Sequence, residues 1–279
     1  MLSAVLSRTV SRCAVLMLSL LVLAAPARAD AAQIARLLQT EALFEILRDE
    51  AVVYGDELAE ELFEQGPDPL WRGQVAAINA PDRLRPVFEA AFAAALGDLD
   101  LRPVEGFLGS DLGRRVITLE IDTRRALLDR DLEAAARAAF DAALEQGDLR
   151  ALAVRAFIDR ADLIEPNVAG GLNANLAFYR AMAAGGAFPY AMSEAEMLAD
   201  VRAQEPEVRA EMTQWLSGYL FLAYHPLTEA ELTAYGDFSA SAPGRALMAA
   251  VFAGFDAVFV QVSQDLGAAT ARRLSGQDL

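Results

Sequence analysis

The chain has 279 residues, 24 of them basic and 40 acidic, for a formal net charge of −16; the 24 are all arginine, with no lysine. Such a surface repels phosphate backbones, so nucleic-acid binding is not expected, because it depends on neutralising phosphates. The single cysteine, Cys13, rules out an internal disulfide and a multi-cysteine metal site.

Residues 1–29 have the order of a cleavable signal peptide. Arg8 and Arg12 come first, an apolar run Cys13–Ala25 follows, and Pro26-Ala27-Arg28-Ala29 closes it with small residues one and three places before Asp30. The run is short of the ~20 apolar residues that a membrane span needs. The two arginines are not adjacent, as a twin-arginine signal requires, and Cys13 precedes the apolar run, where no lipid attachment would occur. Cleavage after Ala29 and a periplasmic destination are therefore expected, with no stable membrane anchor afterwards. The remaining 250 residues would carry 21 arginines against 40 acids, a charge of −19, and no cysteine. With acidity spread along the chain, a solvated surface is the simplest meaning.

From there the spacing is helical. Leu43, Leu47, Ala51, Tyr54, Leu58 and Leu62 form one apolar stripe, and Leu84, Val87, Phe88, Ala91, Phe92 and Leu96 form another. Leu247, Val251, Phe255, Val258 and Val262 form a third, widened by Met248, Phe252 and Phe259. Thr40, Ser193 and Thr228 read as helix N-caps, the last two with Glu196 and Glu231 at capping-box spacing. Breaks are expected at Gly66-Pro67-Asp68-Pro69, Ala80-Pro81, Gly147-Asp148, Glu165-Pro166, Gly185-Gly186 and Pro226. The whole reads as an all-α bundle of roughly ten helices, with a first helical half over 30–147 and a second over 148–279. Trp215–Tyr224 and Ala246–Val262 are apolar nearly all round, which suits central helices of a fold better than spans.

The two halves are expected to be related. Leu96–Arg114 lies over Leu227–Arg245 without gaps, so that Phe107 meets Phe238, Ser110 meets Ser241, Gly113 meets Gly244 and Arg114 meets Arg245. Upstream, Leu84 meets Trp215 and Phe88 meets Tyr219; downstream, Ile117 meets Met248, Ile121 meets Phe252 and Leu128 meets Phe259. The shared Phe-x-x-Ser-x-x-Gly-Arg suits a corner between helices. The phenylalanine anchors it, the serine caps the next helix, and the glycine admits close approach. Pro243 suits a first-turn position. A helix start beside an arginine could also hold an anion, but the cap accounts for the serine without one.

This corner resembles that of the exported bacterial "domain of unknown function 2059" (DUF2059) family, which has an aromatic-x-Ser-Pro-x-Gly-basic turn between two helices. The resemblance runs over about Met212–Val262 and is echoed by Leu84–Leu128. Here the proline, Pro243, directly precedes the glycine, and the first copy, Ser110-Asp111-Leu112-Gly113, has none. The resemblance implies an all-helical periplasmic protein and brings no activity or catalytic residue with it.

Motifs of known chemistry are missing: no Gly-x-Ser-x-Gly elbow, no phosphate-binding glycine loop, no His-Glu-x-x-His. The lone His225, in Tyr224-His225-Pro226, suits a helix C-terminus better than catalysis. Acidic pairs at Asp98/Asp100, Glu120/Asp122 and Asp129/Asp131 are what an acidic chain produces by composition, and Asp100 and Asp131 read as helix-start residues. No catalytic residue, cofactor or metal site is therefore expected. The leading expectation is a non-enzymatic envelope protein acting through a protein partner. A bundle that binds an apolar ligand or lipid between the helices at Trp215–Tyr224 and Ala246–Val262 is the second, and a carboxylate-dependent hydrolase the third.

Overall fold

The computed structural model describes residues 30–188 and 191–276, so the signal-peptide reading of 1–29 lies outside the described residues. Among the described residues there are twelve helices and no strand, the all-α bundle expected from the spacing. A helical stretch over 30–37 leads into Thr40–Leu62 (α1), Pro69–Ile78 (α2), Pro81–Leu96 (α3) and Arg102–Leu108 (α4). Asp111–Ala126 (α5), Arg130–Glu145 (α6), Leu149–Arg160 (α7) and Ile164–Ala184 (α8) follow. Glu194–Ala203 (α9), Glu205–Ala223 (α10), Glu229–Ser239 (α11) and the long Ala242–Leu274 (α12) complete the order.

Local chemistry explains most of the boundaries. Ser193 and Thr228 each form the full capping box with Glu196 and Glu231. Asp68 caps α2 through the Trp71 N–H at 2.8 Å. Asp129 caps α6, accepting from the Asp131 and Leu132 N–H groups, and Asp131 lies in the first turn of that helix. The cap expected at Thr40 does not form. Thr40 is already inside α1, Gln39 before it takes a φ of 53°, and the Thr40 hydroxyl donates back to the Ala35 carbonyl. The helical stretch ahead of it leaves that carbonyl without an intrahelical partner, and the hydroxyl satisfies it.

Three buried clusters hold the helices together. The first gathers Phe44 of α1, Phe88 and Phe92 of α3, Ile117 and Ile121 of α5, and Leu247, Ala250 and Val258 of α12. The second gathers Val116 of α5, Phe140 of α6, Val154 and Phe157 of α7, Leu216 and Leu220 of α10, and Leu232 and Tyr235 of α11. The third is smaller, with Leu58, Trp71, Val75 and Leu266. Phe107 and Phe238 pack against both large clusters and so mark the seam between them. By length and composition α12 is the one described helix that could cross a membrane. In this fold it packs along α8 and α3, with Leu247, Ala250, Gly254 and Val258 buried on one stripe.

Candidate functional site

The two corners singled out in the sequence meet face to face at the seam. The rings of Phe107 and Phe238 stack with centroids 3.9 Å apart and planes 6° apart. Each corner is built by the same bonds. The Ser110 hydroxyl donates to the Phe107 carbonyl at 2.6 Å and accepts from the Gly113 N–H at 3.0 Å. Ser241 does the same with Phe238 at 2.5 Å and Gly244 at 3.2 Å. One hydroxyl thus ties the last turn of one helix to the first turn of the next. A side chain at Gly113 or Gly244 would drive its Cβ into the Phe107 or Phe238 carbonyl oxygen, so neither position admits one. Arg114 turns back onto the Gly109 carbonyl and pairs with Asp111 at 2.6 Å; Arg245 turns back onto the Ala240 carbonyl. Both arginines thus serve the end of the preceding helix, a geometry of corners rather than of anion sites.

Behind the stacked phenylalanines lies a cavity of about 180 Å³. In the register that aligns the corners, its wall is made of corresponding positions: Phe88 and Tyr219, Leu108 and Ser239, Ile117 and Met248, Glu120 and Val251, Arg124 and Phe255. Leu43, Ile121, Phe238, Gly244 and Leu247 fill in between. α5 contributes a carboxylate and a guanidinium to the wall, whereas α12 contributes only apolar side chains and Gly244.

Glu120 is the residue the surrounding helices are arranged around. It occupies the stripe of α5 that also carries Val116, Ile117 and Ile121, so the helix turns it inward. The Tyr224 and Tyr235 hydroxyls both donate to its Oε1, at 2.7 and 3.0 Å, and the Tyr219 hydroxyl donates to its backbone carbonyl at 3.1 Å. It is enclosed by protein, yet part of its surface stays accessible, as expected of a group on a cavity wall. Burial pushes its carboxyl above the usual carboxylate range, while the two phenol hydrogen bonds pull it back. Burial first, and the charge of Glu120 second, hold the hydroxyls of Tyr219, Tyr224 and Tyr235 well above their ordinary value.

One turn further along α5, Arg124 forks onto Glu50 of α1, with Nε and Nη2 each 2.9 Å from a carboxylate oxygen, and lies 5.3 Å above the Trp215 ring. That cation is committed to Glu50. Glu120 has phenols for partners and no counter-ion among its hydrogen-bond partners.

The remaining sequence candidates lie elsewhere. Asp122, two residues from Glu120, is on the opposite side of α5, exposed and 3.6 Å from Arg125, so the expected pair is split by the helix itself. Asp100 is exposed and held by Arg102, and Asp98 is exposed. His225 is exposed in the turn after α10. Among the described residues, no group of three or more histidine, cysteine or acidic residues could hold a metal. A wider depression of about 440 Å³ between α1 and α6 is bordered by Glu57, Arg130, Glu133 and Arg137. Its charges pair with one another, Arg130 with Glu57 and Arg137 with Glu133, which makes it a solvated ion-pair groove.

Glu120 is visible in the sequence only as half of an acidic pair. The stronger signal is its phase: Val116, Ile117, Glu120, Ile121 and Arg124 share one helical face, so two charges interrupt an otherwise apolar stripe. No known protein family, curated protein sequence or solved structure matches the chain.

Proposed function

We propose that this protein binds a small, largely apolar molecule in the cavity at the seam of its two cores. One observation carries the reading: corresponding positions from the two corner regions line a single space, and a carboxylate without a counter-ion enters a wall that is mainly aromatic and aliphatic, its guanidinium, Arg124, being paired with Glu50. Binding sites are concave and mainly apolar, with few polar groups that fix orientation, and this wall has that composition. The space is of the order that holds one ring, since an apolar void of about 150 Å³ can accept benzene. A hydrolytic reading that works through paired carboxylates would need a second carboxylate on the same wall, and the split of Glu120 from Asp122 speaks against it.

The pattern of residues 1–29 supports export to the periplasm. The matching bonds of the two corners support descent from a duplicated helix-corner-helix unit, and the place of Ser241, Gly244 and Arg245 in the second corner is in keeping with the resemblance to the exported family. On this reading the stacked phenylalanines are the joint at which the two copies close over their ligand.

Native mass spectrometry of the protein purified without solvent extraction tests the proposal. A bound species of low mass, lost on unfolding, is the expected result. A protein that carries nothing and takes up no toluene when it is supplied would end the proposal.

A further inference from the structure

Resting on the cavity reading, we infer that the occupant carries a protonated amine, and that Glu120 is the residue that receives it. The polar groups on the wall already divide between donors and acceptors. The hydroxyl hydrogens of Thr40, Tyr219, Tyr235 and Ser239 are all given to protein oxygens: the Ala35 carbonyl, the Glu120 carbonyl, Glu120 Oε1 and the Tyr235 carbonyl. What these groups still offer is lone pairs. The two phenols on the Glu120 carboxyl both use Oε1, and neither uses Oε2. Apart from Arg124, which is taken up by Glu50, the wall therefore offers a ligand acceptors, and a head that meets Glu120 must supply hydrogens.

Charge points the same way. Arg124 forks onto Glu50 and is balanced by it, whereas Glu120 has two neutral partners. A buried carboxylate without a cation is costly unless one is brought to it. An ammonium entering the cavity would be that cation. It would also lie among the rings of Phe88, Tyr219, Tyr235, Phe238 and Phe255, whose faces attract a cation once water is excluded. A carboxylate plus an aromatic enclosure is general chemistry for ammonium recognition. The volume limits the apolar part to about one ring.

The test compares probes of one shape and different heads on the full chain: benzylamine, benzyl alcohol, toluene and benzoate, by isothermal titration at neutral pH. Benzylammonium is expected to bind about tenfold or more tighter than benzyl alcohol or toluene, the scale of one charge-assisted hydrogen bond, and benzoate not to bind. Glu120→Gln, which keeps the shape and still accepts from the phenols, is expected to erase the amine preference, so that benzylammonium binds no tighter than toluene to the same variant. The wild-type comparison decides the matter even if that variant does not fold. Benzoate binding as well as benzylammonium would place the ligand head on Arg124 and overturn the inference, as would an amine preference that survives in Glu120→Gln. Toluene binding with no amine preference would overturn the head assignment and leave the cavity reading standing. If no probe binds, both fall together.

Discussion

Glu120 shows how a single side chain can tie three helices together and make the fold sensitive to pH. Its carboxyl faces Tyr219 of α10, Tyr224 just beyond α10, Tyr235 of α11 and, along its own helix, Arg124 with its Glu50 partner from α1. The tyrosines stay protonated far above neutral pH, and Arg124 stays charged, so none of these changes charge in the range where Glu120 titrates. Its folded-state value is raised above the usual one, chiefly by burial. A raised acid binds its proton more tightly in the folded chain. Its stabilising contribution is therefore complete below the ordinary glutamate range and is lost as pH rises through the folded value. Glu120→Gln mimics the protonated form at every pH. Its urea midpoint is expected to match that of the wild type at acidic pH and to exceed it above the folded value. The gain is about 1.4 kcal/mol for every tenfold by which folding tightens the carboxyl's hold on its proton. A difference that does not vary with pH would mean that Glu120 is not held in a low-polarity site.

At the scale of elements, the corners are where sequence and fold correspond most closely, because their bonds are local. Ser241 touches residues three positions away on either side, and the contact that forbids a side chain at Gly244 reaches back only to Phe238. Ser241→Ala is expected to cost about 1 kcal/mol in urea unfolding, the usual value of a helix cap, and Gly244→Ala about 1–3 kcal/mol, as the corner must open to admit the methyl group. The stack between the corners can be isolated with a double-mutant cycle of Phe107→Leu and Phe238→Leu. Coupling of about 0.5–1.5 kcal/mol is expected for aromatic rings in contact, and additive effects would mean that the two corners act independently. Helix stripes and capping boxes are legible for the same reason of locality. One break lacks the usual punctuation: Leu127-Leu128-Asp129 separates α5 from α6 with no glycine or proline to stop the helix, and the Asp129 cap makes the turn. Between α9 and α10, where Gln204 alone intervenes, the signal is Pro206 in the first turn of α10.

At the scale of the whole molecule, the cavity lies beyond the reach of pattern reading, because its partners are distant in the chain. The hydroxyls that hold Glu120 come from 99, 104 and 115 residues away, and no periodicity within one helix announces such a meeting. Phe238 and Gly244 can be picked out as corner residues, but that they also border a cavity follows only from how α5 and α12 face each other across the seam. This arrangement has a stability consequence. Two cores joined by a void are less well packed than a single continuous core, since the atoms lining the void lose dispersion contacts. Val251 faces that void from the apolar wall. Val251→Phe is therefore expected to raise stability by about 0.5–2 kcal/mol, as cavity-filling substitutions do, and to abolish uptake of benzylamine and toluene alike. If the site were instead close-packed, the same change would lower stability by about 1–3 kcal/mol. The sign of the change in urea midpoint thus reports on the void itself, independently of any ligand. A more stable variant that no longer binds would show that the gap between the cores is kept for its occupant at the expense of packing.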